Sequence, residues 1–382
     1  MADKNKKKLC IIASAPGGII SFWKTNIEKL STYFEVYVVA NFSDEAVFDG
    51  LCIKGAKSVN IERRPSIASG LGAVKELVKY FKQMQFDGFI SMSSNASLVA
   101  AIAGKIARVP FRCRIFTGQI WMNRTGLSRM FFKMIDRFTV WTNTHLLVDG
   151  KSQQKYLVEN GILREGQSGI IANAAICGVD VNKFSPDSNK RKEERDKLGL
   201  KDSDVVFIFM GRMNREKGVY ELLEAFNRLV MDNEDAKLLL IGSNEGIPDE
   251  IFSSYPNISY GENLICYGYT KTPYIALQAG DVLCLPSYRE GFGISVIEAS
   301  AVTLPVIVSD IYGLRDAFDD GKTGLKCKPR DADSLYEVMK TLYDDKDMRV
   351  SLGKAGRERT KELYSMELVS NAWVDYFRKN IK

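Results

Sequence analysis

The sequence predicts an α/β protein built as two parallel-sheet domains facing a cleft, and three observations carry that prediction. Short apolar β-type runs alternate with amphipathic helical stretches, the pattern of parallel strands covered by helices. The alternation occurs twice, on either side of a charged stretch with few apolar residues. The chain has 382 residues, well past the ~250 at which a single core usually splits.

In the first half, strands are expected at 9–15, 35–40, 58–62, 88–94, 111–116, 145–149 and 168–173. Helices are expected between them at 21–33, 71–84, 97–107, 126–141 and 152–160. Together these elements make a first domain of residues 1–183. Residues 184–204 read as a linker, because only Leu198 and Leu200 in the polar stretch 187–204 are strongly apolar. A second domain at 205–360 follows, with strands at 205–211, 236–242, 257–260, 281–286, 305–310 and 324–327 and helices at 217–231 and 293–301. From 331 onward the pattern is helical, so residues 361–382 are expected to pack across to the first domain.

Composition narrows the function classes. No apolar run approaches the ~20 residues of a membrane-spanning helix, and the run after Lys6-Lys7-Lys8 is too short for a secretory leader. A cytoplasmic location, or a peripheral one on the inner face of the cytoplasmic membrane, is expected. Seven cysteines without a C-x-x-C pair read as reduced, buried thiols, and the single histidine, His145, excludes a His-rich metal site. A net charge of +6 suits acidic ligands or anionic lipid and does not call for nucleic acid.

The most informative segment is 287–301. It places Glu290 and Glu298 around the glycines Gly291 and Gly293, between a strand and a helix. Glycines allow close backbone approach, and the following helix aims free N–H groups at the same place. Glu298 lies among Ile294, Val296, Ile297 and Ala299, where a carboxylate needs a partner such as a ribose hydroxyl. The loop from Gly211 to Gly218 follows another strand and carries Arg212 and Lys217, which together could neutralise a diphosphate. The absence of G-x-G-x-x-G argues against a nicotinamide-dependent oxidoreductase, kept as an alternative. The pairs Asp202/Asp204 and Asp331/Asp333 read as turn and capping residues, and no catalytic metal or cofactor is expected.

One first-half segment, 124–141, interleaves Arg124, Arg129, Lys133 and Arg137 with Leu127, Met130, Phe131, Phe132, Met134, Ile135 and Phe138. Such a basic amphipathic helix is a candidate for lying on an anionic membrane through Arg129, Phe132 and Lys133. Arg63, Arg64, Lys75, Lys79 and Lys82 add charge in the same half. A core-packed helix with solvated charges stands as the equal alternative.

The order of motifs then resembles the family 4 retaining glycosyltransferases of the GT-B fold, two Rossmann-like domains. The resemblance rests on Gly178-Val179-Asp180, Gly211-Arg212, Lys217-Gly218, Leu238 to Gly242, Asp281 to Ser287, Glu290 to Gly293, Glu298-Ala299, Pro305-Val306 and Gly321 to Gly324. In the first half, 116–121, Asp136-Arg137, Thr144-His145 and Gly161-Ile162 are similar to the bacterial surface-polysaccharide branch, that of O-antigen and capsule. The resemblance implies transfer of a hexose or N-acetylhexosamine from a nucleotide-diphosphate sugar, UDP-linked by preference. The implied acceptor is a growing glycan, carried on undecaprenyl diphosphate. It implies Arg212, Lys217 and Glu290 as catalytic residues at the diphosphate and donor sugar. Gly17, Gly18, Gly211, Gly291, Phe292, Gly293, Ile294 and Glu298 would bind the donor, with Gly17 and Gly18 in a loop closing over the diphosphate. Thr117-Gly118-Gln119 stands where many relatives carry a histidine, which makes Gln119 and Trp121 the acceptor-side candidates. A non-catalytic sugar-nucleotide-binding subunit of a polysaccharide assembly is the other reading.

Overall fold

The structure, a computed structural model, describes residues 6–62 and 67–381; Arg63 and Arg64 lie outside them. The chain forms two units, residues 1–178 with 366–382, and residues 179–365.

In the first unit the strands are β1 (Lys7–Ile12), β2 (Phe34–Ala40), β3 (Gly55–Ser58), β4 (Gly88–Ser91), β5 (Phe111–Phe116), β6 (His145–Val148) and β7 (Gly169–Ile170). They form one parallel sheet in the order β3-β2-β1-β4-β5-β6-β7. Helices α1 (Pro16–Ser31), α2 (Ile67–Met84), α3 (Ser94–Ala107), α4 (Gly126–Thr142) and α5 (Lys151–Glu159) connect them. One sheet face packs Trp23 and Ile27 of α1; the other packs Leu77 and Phe81 of α2 with Val99 of α3.

The second unit contains α6 (Ser188–Lys197), β8 (Val205–Met210), α7 (Val219–Leu229), β9 (Ala236–Ile241), β10 (Leu264–Gly268) and α8 (Pro273–Ala276). It continues with β11 (Val282–Leu285), α9 (Ile294–Ala301), β12 (Val306–Ser309), β13 (Gly324–Cys327), α10 (Ala332–Asp344) and α11 (Lys346–Tyr364). The parallel strands are ordered β10-β9-β8-β11-β12-β13. Every residue of β8 and β11 is buried, as a strand covered by helices on both faces requires.

A last helix, α12 (Met366–Asn380), belongs to the first unit. Its Trp373 ring lies 4.7 Å from that of Trp23. The Trp373 indole N–H donates to the Ile176 carbonyl at 3.0 Å, and Ser370 bonds Asn26 at 2.9 Å.

Three expectations change. The stretch 184–204 read as a linker contains α6, capped by Asp187, whose carboxylate accepts from the N–H groups of Asn189 and Lys190. Its packing is carried by arginines: Arg191 binds Asp281 at 2.7 Å, and fully buried Arg195 donates to the carbonyls of Ala279 and Asp204. The strand expected at 257–260 is a turn, and β10 begins at Leu264. Asn263 spends its side chain on Ser259 N–H and the Asn257 carbonyl, which takes those groups from any ladder. The strand expected at 58–62 lies earlier, at β3, while Val59 and Ile61 are buried just beyond it.

Candidate active site

In the second sheet β8 and β11 are neighbours, yet the chain leaves β8 toward β9 and β10 and leaves β11 toward β12 and β13. This is a topological switch point, and the crevice beyond the carboxyl ends of two such strands is where open α/β sheets bind ligands. The two loops flanking it are 211–218 and 286–293. Glycine holds them together: Gly218 has φ +71°, and a Cβ there would fall 2.1 Å from the Pro286 carbonyl oxygen. Tyr288 N–H also donates to the Glu216 carbonyl at 2.8 Å.

At this junction the Lys217 ammonium donates to Glu290. The Ser287 hydroxyl donates to the same carboxylate oxygen at 2.9 Å from a fully buried position. The Lys217 and Glu290 side chains are only 17% and 13% exposed. An ammonium has three N–H donors, so the pair leaves Lys217 with donors to spare for an anion. Gly218 and Gly293 are the left-handed N-caps of α7 and α9, and neither helix start has a side-chain cap. Their first N–H groups therefore stay open, with the positive ends of both helix dipoles. Glu298, one turn into α9, has no hydrogen-bond or ion-pair partner among the described residues. It keeps some exposure, yet burial of its carboxyl pushes the pKa up to about 8.

Of the residues expected here, the structure joins Lys217 to Glu290. Gly211, Gly291, Phe292, Gly293 and Ile294 lie in the same two loops or at the start of α9. The Phe292 ring turns inward, edge-on to Tyr364 at 5.2 Å, so only its backbone remains for a ligand. Arg212 is held at 2.7 Å by Glu245, in the loop after β9. The loop expected at Gly17 and Gly18 is instead the first turn of α1, because Pro16 at its start has a φ preset for a helix. Nothing lies within 4 Å of a Cβ at Gly17.

Trp121 is also corrected. It is 1% exposed, donates its indole N–H to Asp136 at 2.7 Å and stacks on Tyr156, which makes it a core residue. Gln119 is likewise buried, and its amide N–H donates to the Thr117 carbonyl. Phe132 is half-buried, packed against the cluster around Phe116 and Trp121.

Sequence reasoning missed Ser287, the Glu216–Arg289 pair at 2.6 Å and Glu245. Each sits just past a strand's carboxyl end, which was the available signal. Among the described residues no three His, Cys, Asp or Glu side chains group to hold a metal ion.

Residues 190–359, inside the second unit, match the family model described as glycosyl transferases group 1. They form a group 1 glycosyltransferase domain. The enzyme is 25% identical over 314 residues, 82% of each chain, to the capsular polysaccharide biosynthesis glycosyltransferase CapM of Staphylococcus aureus. It is 25% identical over 291 residues to the UDP-Gal:alpha-D-GlcNAc-diphosphoundecaprenol alpha-1,3-galactosyltransferase of Escherichia coli, covering 75% of this chain and 74% of that one. Among solved structures it resembles Anabaena HepE in complex with UDP-glucose, with a TM-score of 0.79 at 17% identity over 97% of this chain and 99% of that one. The two parallel-sheet units of this glycosyltransferase are thus of the GT-B type.

Proposed function

We propose that this glycosyltransferase moves a hexose or N-acetylhexosamine from a UDP-sugar to a lipid-diphosphate-linked glycan, with retained anomeric configuration and without a metal. The observation that carries the reading is the Lys217–Glu290–Ser287 cluster beside two uncapped helix starts, at the β8/β11 switch point. Breaking the bond from the anomeric carbon to the diphosphate builds negative charge on the leaving oxygen and positive charge on the sugar. Lys217 and the first N–H groups of α7 and α9, just after Gly218 and Gly293, are fixed donors for that leaving group. Glu290, held by Lys217 and Ser287, is placed to accept from donor-sugar hydroxyls. Glu298 is the candidate for the ribose, whose hydroxyls would supply its missing partners.

The acceptor oxygen attacks on the face from which the diphosphate departs. Its proton passes to the departing phosphate oxygen, so no separate protein base is required. The UDP preference is supported by the Escherichia coli relative's name and the UDP-glucose bound to HepE. The surface-glycan role draws on the CapM relative, and the lipid diphosphate on the galactosyltransferase. Among the described residues no helix is long and apolar enough to cross a membrane, so contact with a lipid-linked acceptor falls to surface elements.

A thermal-shift screen of nucleotide sugars tests the donor, since a binder stabilises the fold according to its affinity. Transfer assays with Lys217→Ala and Glu290→Ala test the site, and near-wild-type rates in both would refute it. Product anomer by NMR tests retention; loss of activity in EDTA would refute the metal-free step.

A further inference from the structure

Helix α4 is built inside out. Its buried residues are the polar Asp136, Thr139 and Thr142. Its large apolar residues Leu127, Met130, Phe131, Met134, Phe138 and Trp141 are 79%, 61%, 51%, 57%, 40% and 69% exposed. Their spacing of three and four places them on one face. Polar bonds hold the helix this way round: Arg114 of β5 pairs with one Asp136 oxygen at 2.6 Å and also donates to Thr139, while Trp121 donates to the other Asp136 oxygen. Ile106 of α3, 54% exposed, adds to the apolar surface in this unit.

Beside the stripe runs a row of cations. Arg129, Lys133 and Arg137 line a groove of ≈ 280 Å³ with Gly126 and Met130. Arg129 and Lys133 donate to the Asn160 side-chain oxygen at 3.1 and 3.4 Å, and Arg137 donates to the Gly161 carbonyl at 2.9 Å. None of the three forms an ion pair with a carboxylate among the described residues; Asp136, the helix's one acid, is spent on Arg114. Burial first, and then the charges of Arg129 and Arg137, push the Lys133 pKa down. The uncapped start of α4 at Gly126 adds its dipole to the same groove.

We infer that this groove is a binding site for the diphosphate of a bilayer-anchored lipid, with the apolar stripe seated among the acyl chains. Residues four apart on a helix are about 6 Å apart along its axis, so the row is longer than one phosphate and suits two linked ones. Each cation precedes an apolar stripe residue: Arg129 with Met130, Lys133 with Met134, Arg137 with Phe138. A soluble phosphate compound would have no use for that stripe, whereas a lipid diphosphate meets both rows at once. The inference rests on the proposed acceptor class and gives it a place on the first unit, separate from the donor site on the second.

The test is co-sedimentation with three vesicle types: phosphatidylcholine alone, phosphatidylcholine with undecaprenyl diphosphate, and phosphatidylcholine with phosphatidylglycerol at matched charge. The wild type should bind the diphosphate vesicles about tenfold better than the charge-matched ones. A Lys133→Glu/Arg137→Glu variant should lose about tenfold or more of that binding, since each cation near an anionic surface contributes on the order of 1 kcal/mol. A Met130→Asp/Met134→Asp variant, changed only at exposed positions, should lose binding to both anionic vesicle types. The melting transition of the first unit, followed alongside the donor-induced shift of the second, should be unchanged in both variants and shows that both units are folded. Equal binding to the two anionic vesicles, binding insensitive to the charge reversals, or no vesicle binding would each overturn the inference. Absence of a donor shift in the wild type would instead refute the donor reading and leave the vesicle result standing.

Discussion

Lys217 and Glu290 are 73 positions apart, yet each holds the other in place. Removing Lys217 takes away a donor to the leaving group and leaves a mostly buried carboxylate unpaired. Lys217→Ala should therefore lower transfer by about 10²- to 10³-fold, the scale of losing one preorganised donor, as read by labelled-sugar transfer. Glu298 makes a separate prediction. Its folded carboxyl titrates near 8 through burial, against ~4.3 in an unfolded chain. The folded state therefore holds the proton longer, and stability falls as pH rises from about 4 to about 8. Glu298→Gln should flatten that fall, stabilising the protein by about 1–2 kcal/mol at pH 8, a figure reduced for solvent screening. It should change little at pH 4, and denaturant melts at the two pH values check it. Gly218→Ala should cost at least about 2 kcal/mol, because its Cβ would strike the Pro286 carbonyl and its φ disfavours any side chain.

Legibility at the scale of elements followed how each one packs. The sequence Val205 to Met210 buries all six side chains, so its apolar run announced β8 directly. Helix α6 has almost no apolar residue and stayed hidden, because it docks through arginine side chains whose charged ends find carbonyls and Asp281. Arg195→Ala should accordingly cost about 3 kcal/mol, the scale of opening a buried ion pair, visible as a lowered urea midpoint. Helix α4 had the pattern of an amphipathic helix, but periodicity cannot say which face turns inward. The answer came from Arg114 on another strand. The site was legible in the same uneven way. Lys217 and Glu290 stood out because each follows an apolar strand, whereas their mutual bond depends on β8 and β11 lying side by side.

The whole molecule repeats one design, with both sheets changing direction beside their first strand. The doubled alternation of strands and helices foretold two domains. The finer boundaries depended on long-range contacts: Val179 pairs with Ser365 and its N–H bonds the Tyr364 carbonyl at 2.8 Å, which closes the second unit on itself. That unit is one continuous stretch, 179–365, whereas the first recruits 366–382. Truncation after 365 should leave donor-induced stabilisation of the second unit measurable while the first loses Val369, Trp373 and Phe377 from its core. Thermal melts with and without UDP-sugar would separate the two. The recruited helix also sets an order of events at the ribosome. The second unit has all its residues before α12 has been made, so the part translated later is free to finish folding earlier. The first unit must wait with Trp23 and its neighbours uncovered until α12 emerges, which makes it the unit that most needs shielding from aggregation during synthesis.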